Sequence, residues 1–231
     1  IYVLFCIFCI ILSDFLLPPL KFSIIFICPY TFFVKFTIIK FVLSHIQKGE
    51  NHMACYVFNF NLHDLSLVEI GKQKCTPLYS FGPFIRNEYI FHYVISGKGY
   101  CSMGHDVQES SIQRPDQPSG GPTAHEVRAG EGFLIEPHTK HIYNADLNDP
   151  WHYIWVVFSG ASAPHLLRAS GLSKTNIVYH PKDTTIQTLQ NIRQPLMNIL
   201  EHPDASEAAV MGNFYLFLDQ LIQNAAHPII E

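Results

Sequence analysis

The side chains with chemistry to offer gather in three short stretches. Tyr89–Ser96 sets Tyr89, His92 and Tyr93 among apolar neighbours, and His141-Ile142-Tyr143-Asn144 follows. Trp151-His152-Tyr153-Ile154-Trp155 then places four ring side chains in five positions. Side chains alternate along an extended strand, so Trp151, Tyr153 and Trp155 share one face. Flat faces with a few fixed polar groups beside them equip a small-molecule site. The competing reading is that these rings are simply core, where aromatics dominate packing. Arg86, just ahead of the first stretch, is either a clamp for a hydroxyl or carboxylate or a charge that anchors a loop. His92, between Phe91 and Tyr93, is either a ligand contact or a hydrogen-bonded core histidine.

A second chemistry to weigh is metal binding. His138 and His141 stand three apart, and His92 and His152 add further imidazoles. The structural readings are a turn position for His138 and a loop hydrogen bond for His141. No Ser/His/Asp constellation, phosphate-cradling glycine loop or dinucleotide fingerprint is present. Cys6 and Cys9 have CxxC spacing, but in an apolar stretch without the strand–helix context of a redox site. Cys55, Cys75 and Cys101 form no such pair and read as reduced thiols.

The chain that must position these residues has 231 residues. That suffices for one good-sized domain with appendages. Hydrophobic residues make up 48% and charged residues 15%, which excludes general disorder. A formal charge of −4 argues against a free-standing nucleic-acid binder. Composition splits sharply at Met53. Residues 1–52 hold ten Ile and nine Phe, one Gly, and neither Ala nor Arg. A membrane segment is one reading, but Asp14, Lys21, Lys35 and three prolines interrupt it. A signal peptide lacks its basic start and its cleavage site, and an extension packed on the domain is a further reading. The leading expectation is that residues 1–52 are not part of the native protein. Their residues are those of AT-rich codons, and Met53 is the first methionine. Lys48-Gly49-Glu50 back-translates to a purine-rich run like a bacterial ribosome-binding site. Membrane contact follows only if this leader is translated.

Beyond Met53, residues 54–60 and 65–70 read as strands and residues 76–86 as a loop. Tyr89–Ser96 is a strand, and Gly97-Lys98-Gly99 reads as a tight hairpin turn into a return strand from Tyr100. Residues 108–122 read as a flexible hairpin insertion. Strand signals recur at residues 125–127, 132–135, 141–144 and 151–159, the pattern of an all-β barrel or sandwich. Residues 164–170 form a short helix with Pro164 at its start and Gly171 past its end. Residues 183–200 carry an apolar stripe with Pro195 expected to kink or split it. The next helix, capped by Asp204 or Ser206, carries Val210, Phe214, Phe217, Leu218, Leu221 and Ile222 on one stripe.

Three segments in order carry a family resemblance: Ser80-Phe81-Gly82-Pro83 through Ser96-Gly97-Lys98-Gly99; Ala129-Gly130-Glu131-Gly132 through Ala145-Asp146; and Asp149-Pro150-Trp151 through Ser159-Gly160. Together they resemble the N-terminal sugar-sensing and dimerisation domain of AraC-family bacterial transcription regulators. The resemblance implies a mainly β fold, a cupin-type double-stranded β-barrel (jelly roll) over residues 53–182, then two C-terminal α-helices over 183–231 that dimerise. It implies a small-molecule ligand, a sugar, held by Tyr143 and by Trp155 as the stacking ring. Tyr153 stands where the arabinose sensor has a histidine; Trp151, Arg86 and His92 complete the candidate ligand set. Ile192, Leu196, Phe214, Leu218 and Leu221 are the candidate dimer residues. The implied protein is cytoplasmic, is not an enzyme, and needs neither cofactor nor metal. The family's helix-turn-helix module is missing from this sequence, so no nucleic-acid partner is expected for this chain alone. The alternative is a metal-dependent cupin enzyme acting on a sugar or small metabolite. Against it, the usual His-x-His pair with a following Glu is replaced by residues 87–92, which hold only His92.

Overall fold

The computed structural model describes residues 39–41, 53–60, 62–104, 107 and 124–228. The expectations for the rest of residues 1–52, including the Cys6–Cys9 pair, and for residues 108–122 fall outside the described residues. In chain order the strands are β1 (Ile39–Phe41), β2 (Met53–Val57), β3 (Ser66–Lys74), β4 (Ser80–Phe84), β5 (Tyr89–Ser96), β6 (Lys98–Met103), β7 (His125–Arg128), β8 (Gly132–Ile135), β9 (His141–Ala145), β10 (His152–Ser159) and β11 (Val178–Tyr179). The helices are α1 (Ala163–Ala169), α2 (Ile186–Glu201) and α3 (Glu207–Asn224). Two antiparallel sheets result, ordered β1-β2-β3-β10-β5-β8-β11 and β4-β9-β6-β7. This is the expected cupin-type jelly roll with C-terminal helices.

Alternation along the central strands builds two cores from one sheet. From β5, Ile90 and Val94 join the interior cluster while Phe91 and Tyr93 join the cluster under the helices. From β10, Tyr153 and Val157 point inward, and Ile154, Val156 and Phe158 point to the helices. A sheet buried on both faces needs the near-continuous apolar runs that β5 and β10 have.

Four sequence expectations change. Residues 76–86 are not all loop, because residues 80–84 form edge strand β4 along β9. Gly82 and Pro83 sit where the register shifts between Phe81 and Phe84, and an edge with a bulge is where a sheet tolerates proline. Gly97-Lys98-Gly99 is not a hairpin turn. β5 pairs with β10 and β8, whereas β6 pairs with β7 and β9. The chain therefore crosses from one sheet to the other at Gly97, whose φ of +72° suits glycine. Gly99 lies under Trp151, and a Cβ there would run into the indole. Pro195 does not split its helix: α2 runs from Ile186 to Glu201, with Thr185 capping it by accepting from the Thr188 amide. Pro195 is itself buried with Ile192, Leu196 and Ile199, so packing offsets the lost backbone bond.

The fourth change concerns the helix pair. Ile192, Leu196 and Phe214 are fully buried, and Leu218 and Leu221 nearly so, all within one chain. They pack against Phe91, Ile154, Val156 and Phe158 of the large sheet; Phe214 lies 5.3 Å from Phe158 between ring centroids. The stripe, which the sequence allows to seat on the barrel, on the neighbouring helix or on a second copy, caps the barrel. Ser206 is the cap of α3 and accepts from the Ala209 amide. Lys182 N and Ala226 N donate to Asn224 O and His180 O, fastening the end of α3 beside β11. Among the described residues, no helix is long and apolar enough to cross a membrane. If the stripe is core, Phe214→Ala should lower the unfolding free energy by about 3–5 kcal/mol in urea denaturation. Leu218→Asp should then fail to yield a stably folded chain; a folded monomer of wild-type stability would show the stripe to be an interface instead.

Candidate functional site

The inner faces of β5, β8, β9 and β10 meet in a nest of rings. His92 stacks on Phe133 with centroids 4.4 Å apart and planes 3° from parallel. Tyr143 and Tyr153 stand edge-on to the same imidazole at 4.8 and 5.1 Å. Trp151 closes the floor, 5.7 Å from Phe133 and 5.6 Å from Tyr153. Four of the six candidate ligand residues, His92, Tyr143, Trp151 and Tyr153, are thus neighbours, and all are buried.

The other two, Trp155 and Arg86, meet at a partly open corner of the barrel through a residue that the sequence reading missed. Glu69 on β3 accepts a hydrogen bond from Trp155 Nε1 at 2.7 Å and from Arg86 Nη2 at 3.1 Å. Cys55 Sγ on β2 also donates to it at 3.6 Å. Arg86 keeps a third of its side chain exposed and Glu69 about a sixth, 33% and 16%. Trp155 lies flat over Gly71, where a Cβ would overlap the indole. That close approach is why a glycine stands inside β3. Trp155 lies 5.9 Å from Tyr153, whose hydroxyl donates to the buried Gln73 Oε1 at 3.3 Å. Arg86 and the inward row of β3 and β10 thereby form one polar edge on the aromatic nest. The available signals for Glu69 were its place as the one acid in an apolar strand and the glycine two residues on.

Burial sets the electrostatics. The Tyr143 and Tyr153 hydroxyls are pushed far up by desolvation, so both are neutral donors. The Cys55 thiol is pushed up to about 12, first by burial and then by the Glu69 carboxylate. Cys75 is likewise raised to about 12 by burial, partly offset by Tyr153 and Trp151 beside it. His92 is held well below its ordinary value, first by burial and then by the neighbouring His141 ring and the Arg86 guanidinium. His141 is lowered, mainly by burial, and its Nδ1 donates to Thr139 O at 3.0 Å. Among the described residues, His92 Nδ1 and His141 Nε2 are buried polar atoms without a hydrogen-bond partner at bonding distance, and Trp151 Nε1 has at most the Cys75 thiol beside it. Such groups in a native interior call for a polar guest or ordered water.

The metal alternative depends on the histidines converging. Only two do: His92 and His141 share the interior, whereas His138 is an exposed turn residue at φ +60° and His152 lines the outer face of the sheet. Among the described residues, no three His, Cys, Asp or Glu side chains come together in a metal-holding group.

The fold is a cupin-type jelly roll whose inner wall is aromatic and whose partly open corner carries a carboxylate, a guanidinium and an indole. The chain is a member of the AraC-like ligand binding domain family, which it matches over residues 66–218. It is 29% identical over 171 residues to the Msm operon regulatory protein of Streptococcus mutans, covering 72% of this chain and 53% of that protein. It is 30% identical over 91 residues to the raffinose operon transcriptional regulatory protein RafR of Pediococcus pentosaceus, covering 38% and 27%. A lactose operon transcription activator of Staphylococcus xylosus shares 22% over 158 residues, covering 68% and 50%. The chain spans about half the length or less of these regulators. Solved structures that resemble it are distant. An RmlC-like cupin family protein from Methanocaldococcus jannaschii shares 11% identity over 54% of this chain and 91% of that one, with a TM-score of 0.33. The chain is therefore an AraC-type ligand-binding domain related to regulators of sugar operons.

The buried neutral histidines make a testable demand on stability. Their folded-state pKa values lie below the unfolded value of about 6.5, so the unfolded chain takes up protons first. Stability should be full above pH 6.5 and fall as the pH drops below it, by up to about 1.4 kcal/mol per pH unit for each such histidine. His92→Phe keeps the stack on Phe133 and should flatten part of that slope in denaturation curves between pH 7 and 5; an unchanged slope would remove His92 from the account.

Proposed function

We propose that this domain senses a carbohydrate effector at the Trp155–Glu69–Arg86 corner, with Tyr153 and Tyr143 as the wall behind it. The carrying observation is that one carboxylate joins an indole and a guanidinium at the edge of an aromatic nest. An indole face suits the C–H surface of a sugar. A carboxylate acceptor and a guanidinium donor suit its hydroxyls, with charge-assisted strength. The opposite charges of Glu69 and Arg86 make the corner formally neutral, which favours an uncharged ligand. Names of relatives that include raffinose and lactose operons support an oligosaccharide as the class.

Binding at this corner reaches the helices through β10. Trp155 lies between Ile154 and Val156, which pack under α2 and α3. A ligand that repositions the indole acts on the layer that seats the helix pair, and differential contacts of this kind are what shift a population. The enzyme reading has no comparable support, because only two of its four histidines, His92 and His141, share the interior.

Thermal shift against a panel including raffinose, lactose and arabinose tests the reading. A true ligand at about 100 times its Kd should add about 2.7 kcal/mol. Trp155→Ala and Gly71→Ala, the latter by displacing the indole, should each abolish the shift. A sugar that still stabilises both variants would place the site elsewhere, and a panel without any stabiliser would count against a sugar effector.

We also propose self-association through the outward face of α3. Ala208, Gly212, Tyr215 and Leu216 share that face at helical spacing, and Leu216 and Tyr215 are 54% and 43% exposed. Leu216→Asp should convert a dimer to a monomer in sedimentation without loss of folding. A sedimentation profile unchanged by that substitution would exclude this face.

A further inference from the structure

On the outer face of the large sheet, away from the ring nest, lies a cleft of about 340 Å³ between the sheet and α2. The sheet side carries Lys72 from β3, Ile95 from β5 and His152 from β10; the helix side carries Arg193, Met197 and Glu201 at four-residue intervals. Lys72 is the cross-strand partner of Ile154, which packs outward, and His152 stands two residues earlier on the same face. Lys74 is the cross-strand partner of His152.

Its charge is lopsided. Lys72, Arg193 and the His152 ring line it with a single carboxylate, Glu201, and Lys74 stands beside His152 on β3. The ion pairs among the described residues use Arg86, Lys98, Arg128 and His180, so Lys72 and Arg193 are left without an acidic partner there. The three cations act together on one point: His152 is lowered first by burial, then by Lys72, Lys74 and Arg193. Two unpaired cations on opposite walls of a small cleft are the layout that recognises a multiply charged anion. The volume falls in the range of small-molecule pockets, and Gln194 with the Ile95 and Met197 walls offers a surface for a carbon skeleton.

We propose that this cleft is a second effector site, for a small phosphomonoester such as a phosphorylated sugar. Lys72 and Arg193 grip the phosphate from the sheet and the helix, and Glu201 accepts from a hydroxyl of the skeleton. An anion held this way bridges β3 and β10 to α2 and so tightens the helix pair on the barrel. The proposal goes beyond the sugar reading and does not depend on it, because the two sites share no residue.

Calorimetric titration of the purified chain with inorganic phosphate and with glucose 6-phosphate at low salt tests it, alongside NMR titration of His152. Glucose 6-phosphate should bind more tightly than inorganic phosphate. Lys72→Gln and Arg193→Gln should each weaken it about tenfold. Lys72→Arg should retain it, and Lys174→Gln, a surface charge elsewhere, should leave it unchanged. On saturation the His152 pKa should rise, because a bound anion offsets Lys72, Lys74 and Arg193, which face it from β3 and α2. Absence of binding by either anion at millimolar concentration overturns the proposal. So does binding indifferent to Lys72 and Arg193 in variants whose melting matches the parent, or an unmoved His152. Equal affinity for the two anions overturns the phosphomonoester assignment.

Discussion

Strand β10 carries the molecule because it is buried on both sides. Its even-numbered residues Ile154, Val156 and Phe158 seat the helices, while Tyr153 and Val157 line the barrel and Trp155 stands at its edge. A register slip of one residue would exchange the two sets. It would drive an indole and a phenol into the apolar layer under α2 and α3, and aliphatic groups into the polar corner. Pairing with β3 on one side and β5 on the other holds that register, with bulges confined to the strand's two ends. The proposed ligand site and the helix seat are therefore opposite faces of a single pleat, not separate regions joined by a path.

The interior polarity follows from the same burial. Desolvation keeps two phenols and two imidazoles neutral inside the barrel, so that they offer hydrogen bonds without the cost of a buried charge. The charges are left at the corner, where Glu69 and Arg86 stay partly solvated and oppose each other. Screening keeps that ion pair a weak contributor to stability, so its role lies in orientation: it fixes the carboxylate that fixes the indole.

The readable parts of the sequence were those set by local period. Alternation in Tyr89–Ser96 and in residues 151–159 announced the central strands and the shared face of Tyr153 and Trp155. The three- and four-residue spacing in the last third announced α2 and α3. Sequence-distant partners were not readable. Glu69 meets Arg86 across 17 residues and Trp155 across 86, and nothing local to Glu69 names either. The same limit explains the hairpin assigned at Gly97, since two glycines mark a change of direction but not which sheet receives the next strand. It also explains the dimer residues: a helical stripe states that Phe214 and Leu218 are covered, and only the three-dimensional arrangement identifies the covering surface as the chain's own barrel.

The resting bonds of Glu69 have a quantitative bearing on detection. At rest both of its oxygens are engaged, one by the indole and the thiol, the other by the guanidinium. A hydroxyl that takes the oxygen shared by the indole and the thiol would have to exchange with a donor already there, so its affinity would be a difference between two sets of bonds. In the proposed sensor, the concentration of response would then be set as much by the occupied ground state as by the guest. Loosening a resting bond without removing the carboxylate would move the threshold down while leaving the choice of guest intact.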